Sequence, residues 1–209
     1  MRIAIFGATG RTGIPLCAQA LDRGHGVVAH TRSPAKLPFD DDQLTVVEGD
    51  AYTGEGVRDA VEGADAVVSV LGQGDASPDD LLTVAGDNIM EAMEDEGVSR
   101  FVTLVGAGVR EEGESVSLGG TVVGGLLTLL ARDVLEDATE HARRVRASGL
   151  DWTILRVPRL GEGDPGGDYR IGDLRLGFEA VDRADVAACI LDRLEADDHV
   201  GAMPKVGAP

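Results

Sequence analysis

The chain has 209 residues and a formal net charge of −18, from 37 acidic and 19 basic side chains. That length suits a single domain with a full core, and the acid excess disfavours nucleic acid and anionic membrane as partners. No apolar run reaches the roughly 18–20 residues of a membrane helix, and the chain opens directly on a strand with no room for a signal peptide, so a cytoplasmic protein is expected.

Cys17 and Cys189 are the only cysteines, and each lies among Ala, Leu and Ile in a helical pattern, which predicts buried free thiols. His25, His30, His141 and His199 show no ligand spacing, so no metal is expected. Only Lys36 and Lys205 are lysines. So large an acid excess repels itself unless salt screens it, which points to a salt-rich cytoplasm.

In chain order, Arg2 to Phe6 is a short apolar run of β-formers. It feeds Gly7-Ala8-Thr9-Gly10-Arg11-Thr12-Gly13, and Ile14 to Leu21 then reads as a helix. A strand, a glycine-rich turn and a helix N-terminus in that order form a pyrophosphate cradle. Bare backbone can approach the anion, and the unpaired amides at the helix start point at it. The spacing is G-x-x-G-x-x-G rather than G-x-G-x-x-G.

Val27 to Thr31 is the second strand. The residue just past it meets the adenosine ribose, where an acid selects NAD and an arginine selects NADP. Thr31-Arg32-Ser33 stands there, with no acid until Asp40. Arg32 can face a 2′-phosphate and Ser33 can donate to it, which favours NADP over NAD. Arg11 can reach the same phosphate from the glycine turn. The run Asp40-Asp41-Asp42 reads as a solvated loop.

Gln43 to Glu48 is the third strand, followed by Gly49-Asp50-Ala51. The Asp50 carboxylate suits either the adenine amino group or a simple turn. Gly56 to Glu62 makes a short helix. Ala66 to Leu71 is apolar throughout, as a strand covered on both faces should be, and Gly72-Gln73-Gly74 opens a loop at its carboxyl end. Pro78 to Glu96 is a helix stopped by Gly97. Arg100 to Val105 is the fifth strand, ending at Gly106-Ala107-Gly108.

Residues 111–120 read as a polar loop. Residues 121–130 are unusually apolar and suit a pocket wall, a subunit contact or a buried piece of core. Asp133 to Ser148 is an amphipathic helix with Val134, Ala138, His141, Ala142 and Val145 on one stripe. Trp152 to Val157 is the sixth strand, left by Pro158-Arg159-Leu160-Gly161. Asp164 to Gly167 is a turn, Tyr169 to Phe178 suggests a small hairpin, Asp182 to Glu195 is a last helix, and the tail is an edge strand. Strands alternating with helices predict one α/β domain over residues 1–209 with a mainly parallel sheet and no internal repeat.

The chain resembles the atypical short-chain dehydrogenase/reductase group with NmrA-like and NAD(P)H-binding members, and within it the biliverdin reductase B (flavin reductase) branch. The matching stretches run from Ile3 to Gly10 with Thr12-Gly13, through Gly49-Asp50, Ala64 to Val67 and Leu71-Gly72. They continue with Asn88 to Met93, Gly97-Val98, and Arg146 to Thr153. The resemblance implies a doubly wound Rossmann sheet ordered 3-2-1-4-5-6-7 with NADP(H) across its carboxyl edge. Carried over by position, Gly7, Ala8, Thr9, Gly10, Arg11, Thr12 and Gly13 hold the pyrophosphate, with Thr12 donating. Arg32, with Ser33, takes the 2′-phosphate. Asp50 and Ala51 border adenine, Leu71 and Gly72 touch the ribose, and Gly106, Ala107, Val157, Pro158 and Arg159 flank the nicotinamide.

The chain also departs from the pattern. The Tyr-x-x-x-Lys pair of the larger family, which handles a carbinol proton, is missing: Tyr52 and Tyr169 are the only tyrosines, and neither has Lys four residues on. Gly106 stands where the flavin reductase branch carries serine, and Ala138 and Arg159 stand where it carries two pocket histidines. A flavin or quinone accepts hydride with water supplying the proton, so the expected activity is NADPH-dependent reduction of a flavin-, quinone- or enone-like small molecule. No catalytic acid is assigned. Arg159 suits either developing negative charge on the acceptor or a cofactor phosphate or surface acid. The competing expectations are an NADP(H)-sensing regulator of NmrA type and, against the missing pair, a sugar-nucleotide epimerase. A monomer or small homo-oligomer is expected.

Overall fold

The computed structural model describes residues 1–74, 76–110, 132–163, 168–177 and 179–209. The first half alternates strand and helix: β1 (Arg2–Phe6), α1 (Gly13–Asp22), β2 (Gly26–Thr31), β3 (Leu44–Glu48), α2 (Val57–Val61), β4 (Ala66–Ser69), α3 (Leu81–Glu96) and β5 (Arg100–Gly106). The second half holds α4 (Arg132–Ala147), β6 (Asp151–Val157), β7 (Arg159–Gly161), β8 (Arg170–Gly172), β9 (Ala180–Asp182), α5 (Arg183–Ala196) and β10 (Lys205–Gly207). The expected loop 111–120, apolar run 121–130, turn 164–167 and Phe178 lie outside the described residues.

The main sheet has the order β3-β2-β1-β4-β5-β6-β10-β8. Strands β1 to β6 pair in parallel, with Ile3 opposite Val27 on one side and Ala66 on the other. Strand order reverses at β1: the chain first builds outward to β3, then returns to lay β4 on the other side. That reversal opens a crevice at the carboxyl ends of β1 and β4, where doubly wound sheets take their ligands.

Alternation along each strand feeds two cores. Ala4, Phe6, Val67, Phe101 and Ile154 face α2, α3 and α4, where Val57, Ile89, Met93 and Val145 meet them. Ile3, Ile5, Val68, Val102 and Leu155 face α1 and α5, against Leu16, Cys17, Val186 and Ile190. Both faces of the parallel sheet are covered, as the continuous apolar runs require. Cys17 and Cys189 are buried free thiols, and burial pushes both up to about 12.

Three expectations change. The tail strand β10 is internal: it pairs in parallel with β6 and antiparallel with β8, which forms the sheet's rim. Val206 is fully buried, so it needs cover from both neighbours. Among the described residues the suggested hairpin does not form, because β8 pairs with β10 instead of folding back on its own segment, with Val206 opposite Ile171. On α4 the packed stripe keeps Ala138, His141, Ala142 and Val145 as expected, but Leu135 takes the place of Val134, which is 48% exposed. A second, two-stranded parallel sheet, β7-β9, was not anticipated.

Candidate functional site

The glycine-rich turn leaves β1 at the crevice. Gly7 has φ +84° and lies against β4, where a Cβ would stand 3.0 Å from the Val70 carbonyl oxygen. The Gly10 amide donates to the Gly7 carbonyl at 2.9 Å, closing the turn. A Cβ on Gly13 would lie 2.7 Å from the Ala8 backbone, so only glycine lets α1 start this close to the strand. No side chain caps α1, and its first turn carries no acid, which suits an anion at the helix start.

Beside it, the Thr9 and Thr31 hydroxyls meet at 2.8 Å and tie the turn to the end of β2. The Ser33 amide donates to the Thr31 hydroxyl at 3.0 Å. The Arg32 side chain is 70% exposed and only loosely paired with Asp50, at 3.8 Å. Asp50 builds a turn, accepting the Tyr52 amide at 3.0 Å on Oδ1, while its Oδ2 faces Arg32. Ala51 is buried. Asn88, on α3, holds this loop by donating to the Ala51 and Tyr52 carbonyls at 2.9 and 3.1 Å. Sequence reasoning gave Asn88 no role.

Leu71 and Gly72 follow β4 directly. Gly106 sits opposite Val157 in the β5-β6 pairing, and the Ala107 amide donates to the Val157 carbonyl at 2.7 Å. Pro158 then passes the chain to β7, which Arg159 opens. The strand ends of β1, β4, β5 and β6 therefore line up along one edge, with Arg32, Ser33, Asp50 and Ala51 next to them at the ends of β2 and β3. Arg11 departs from its expected direction. It pairs with Glu162 at 3.4 Å, beyond β7, and Glu162 also accepts from Arg183 at 2.6 Å. Both side chains of the Arg11–Glu162 pair are exposed, so this contact holds Arg11 only loosely.

Among the described residues the acid–base inventory at this edge is sparse. Tyr52 donates to Asp80 at 3.0 Å, and that bond raises its pKa. Tyr169 donates to Asp192, and burial raises its pKa. Neither phenol is lowered toward neutrality as proton-transfer work requires. Ala138 is buried in the core between α4 and the sheet, so it does not line the edge. His141 is buried too, with Nε2 3.1 Å from the Thr103 hydroxyl. No group of potential metal ligands occurs among the described residues, and no helix among them is long and apolar enough to cross a membrane.

One loop contact was missed entirely. Asp137, on α4, is 6% exposed. Its carboxylate accepts the Thr83 amide at 2.9 Å, the Leu82 amide at 2.8 Å and the Gln73 side-chain amide at 2.8 Å. A depression of about 560 Å³ lined by Arg146, Trp152 and Met203 lies at the amino end of β6, far from the glycine turn, and plays no part in this edge.

Comparison with known proteins agrees with this geometry. A family model described as NAD(P)H-binding matches residues 7–197. The chain is 26% identical over 214 residues to the uncharacterised protein YwnB of Bacillus subtilis, covering 95% of this chain and 94% of YwnB. It is 31% identical over 212 residues to a 3β-hydroxysteroid dehydrogenase/Δ5→4-isomerase of Mycobacterium tuberculosis, covering 90% of this chain but only 54% of that enzyme. Among solved structures, a short-chain dehydrogenase/reductase from Veillonella parvula in complex with NADP superposes with a TM-score of 0.82 at 22% identity, covering 100% of this chain and 94% of that one. ChuY, an anaerobilin reductase from Escherichia coli O157:H7, gives 0.79 at 24% identity, covering 100% and 98%; these two likenesses show the fold. With a glycine turn at the strand-order reversal and a family match across nearly its whole length, the chain belongs to the NAD(P)H-binding family.

Proposed function

We propose that this protein binds NADP(H) along the carboxyl edge of its sheet and catalyses direct hydride transfer to a flavin-, quinone- or enone-like acceptor. In this reading residues 7–13 hold the pyrophosphate, Arg32 and Ser33 hold the 2′-phosphate, and Asp50 and Ala51 border adenine. Leu71 and Gly72 meet the ribose, and Gly106, Ala107, Val157, Pro158 and Arg159 flank the nicotinamide. The bound nicotinamide supplies the hydride. The chain's residues orient it and keep its reacting face against the acceptor. Arg159 is exposed and pairs with no carboxylate among the described residues, and it stabilises negative charge on the acceptor. Water delivers the proton.

One observation carries the reading: the glycine turn at the strand-order reversal coexists with two phenols committed to Asp80 and Asp192. Carbinol oxidation and sugar epimerisation need a phenol poised for proton transfer, whereas hydride delivery to a flavin or quinone does not. The test mixes protein, NADPH and FMN or a quinone and follows the reduced-nicotinamide absorbance. Turnover supports the reductase. Tight NADPH binding without oxidation replaces it with an NADP(H)-sensing role, which the missing acid–base pair fits equally well.

A further inference from the structure

We propose that Gln73 and Asp137 are positioning residues for the cofactor, acting together to fix the loop of residues 71–74 against the dinucleotide; this rests on the reading that Leu71 and Gly72 meet the ribose. The amides of Leu82 and Thr83 open α3 and would ordinarily be satisfied by an N-cap side chain. The N-cap residue, Asp80, makes no such bond, and its Oδ1 accepts the Tyr52 hydroxyl instead. Asp137 supplies the cap from α4 instead.

The cap accounts for the carboxylate, since its Oδ1 takes the Thr83 amide and its Oδ2 the Leu82 amide, but it does not account for Gln73. The third donor ties the loop to this cap. The Gln73 side-chain amide shares Asp137 Oδ2 with the Leu82 amide, and the same nitrogen donates to the Asp79 carbonyl at 2.7 Å. An asparagine offers one acceptor oxygen and presents its own donors to the rest, so only a carboxylate serves all three. Among the described residues, this arrangement leaves Gln73 Oε1 buried and unpartnered. The two bonds from Gln73 Nε2 hold the loop at a fixed height beside the crevice in spite of that unpartnered oxygen.

Two variants of the full chain separate positioning from stability. Gln73→Leu cuts the link to the loop and keeps the helix cap. Thr83→Val removes the hydroxyl that donates to the Asp137 carbonyl at 3.2 Å, loosening the α3-α4 join while keeping the link to the loop. Calorimetric titration with NADP+ and thermal melts are run on both and on the wild type. Gln73→Leu is expected to weaken NADP+ binding about tenfold, the equivalent of one hydrogen bond to a charged group, with little change in melting temperature. Thr83→Val is expected to lower the melting temperature and leave the affinity intact. If the wild type binds NADP+ and Gln73→Leu binds it equally well, the positioning role is overturned and the proposed function stands. If affinity falls in Gln73→Leu only in step with stability, and Thr83→Val shows the same relation, the role is also overturned. A wild type that does not bind overturns the proposed function, and the positioning role with it.

Discussion

His141 should make the protein sensitive to mild acid. The ring is 2% exposed, and burial pulls its pKa down to about 4 from an ordinary 6.5, with the Asp137 and Asp87 carboxylates offsetting only part of that. Between those values the unfolded chain takes up a proton that the folded chain refuses. Stability from this group is therefore complete above about pH 6.5 and is lost as pH falls toward 4. A displacement from 6.5 to about 4 corresponds to about 3 kcal/mol at full extent, of which about 2 kcal/mol is lost by pH 5. In a chain of 209 residues that amounts to about 4–8 °C in melting temperature. The assay compares thermal melts of wild type and His141→Met at pH 7.5 and pH 5.0. The variant keeps every other titrating group, so the difference between the two proteins isolates the imidazole. The wild type should lose those extra degrees at the lower pH. An equal fall in both proteins would refute the argument.

Four further outcomes are expected. Gly86→Ala would place a Cβ 2.7 Å from His141 Cε1, so urea denaturation should show a loss of about 1–3 kcal/mol from overpacking, in spite of alanine's better helix propensity; an unchanged midpoint would mean that the α3-α4 contact yields freely. Arg32→Ala should weaken NADP+ binding about tenfold or more and NAD+ binding hardly at all; equal losses in calorimetry would remove Arg32 from the 2′-phosphate. Arg100→Met should cost about 3 kcal/mol in chemical denaturation, because the guanidinium bonds the Asp151 carbonyl, the Thr153 hydroxyl and the Arg193 carbonyl near the end of α5. The melting temperature should rise with KCl, since screening relieves the repulsion of a −18 chain; a flat response would dissociate the acid surface from salt.

The glycine turn was legible because three local signals coincide within residues 2–21: a β-forming run, spaced glycines and a helical pattern. Arg32, Ser33 and Asp50 followed from it, since locating the ends of two strands locates the residues just past them. Gln73, Asn88 and Asp137 were not legible as a group. Gln73 and Asp137 stand 64 positions apart and Asn88 and Ala51 stand 37 apart, and neither pairing leaves a periodic trace. Asp137 reads from sequence as one more solvated acid on a charged helix. Strands β7 and β9 span three residues each, too short for alternation to register. The tail strand was seen, but its place was not, because its neighbours are chosen by what Val206 must be covered with rather than by its own three residues.

The placement of β10 bears on how the chain reaches its native state. Strand β6 runs from 151 to 157, yet its outer flank is closed by residues 201–205, and the Arg156 guanidinium meets the Met203 carbonyl at 2.7 Å in the same segment. On the ribosome, β1 to β5 can assemble while this flank of β6 stays bare until residues 201–205 emerge. An unpaired flank of that kind is a template for a second chain. Refolding should accordingly be slow and concentration-sensitive, with misassembly arising at β6 rather than at the glycine turn.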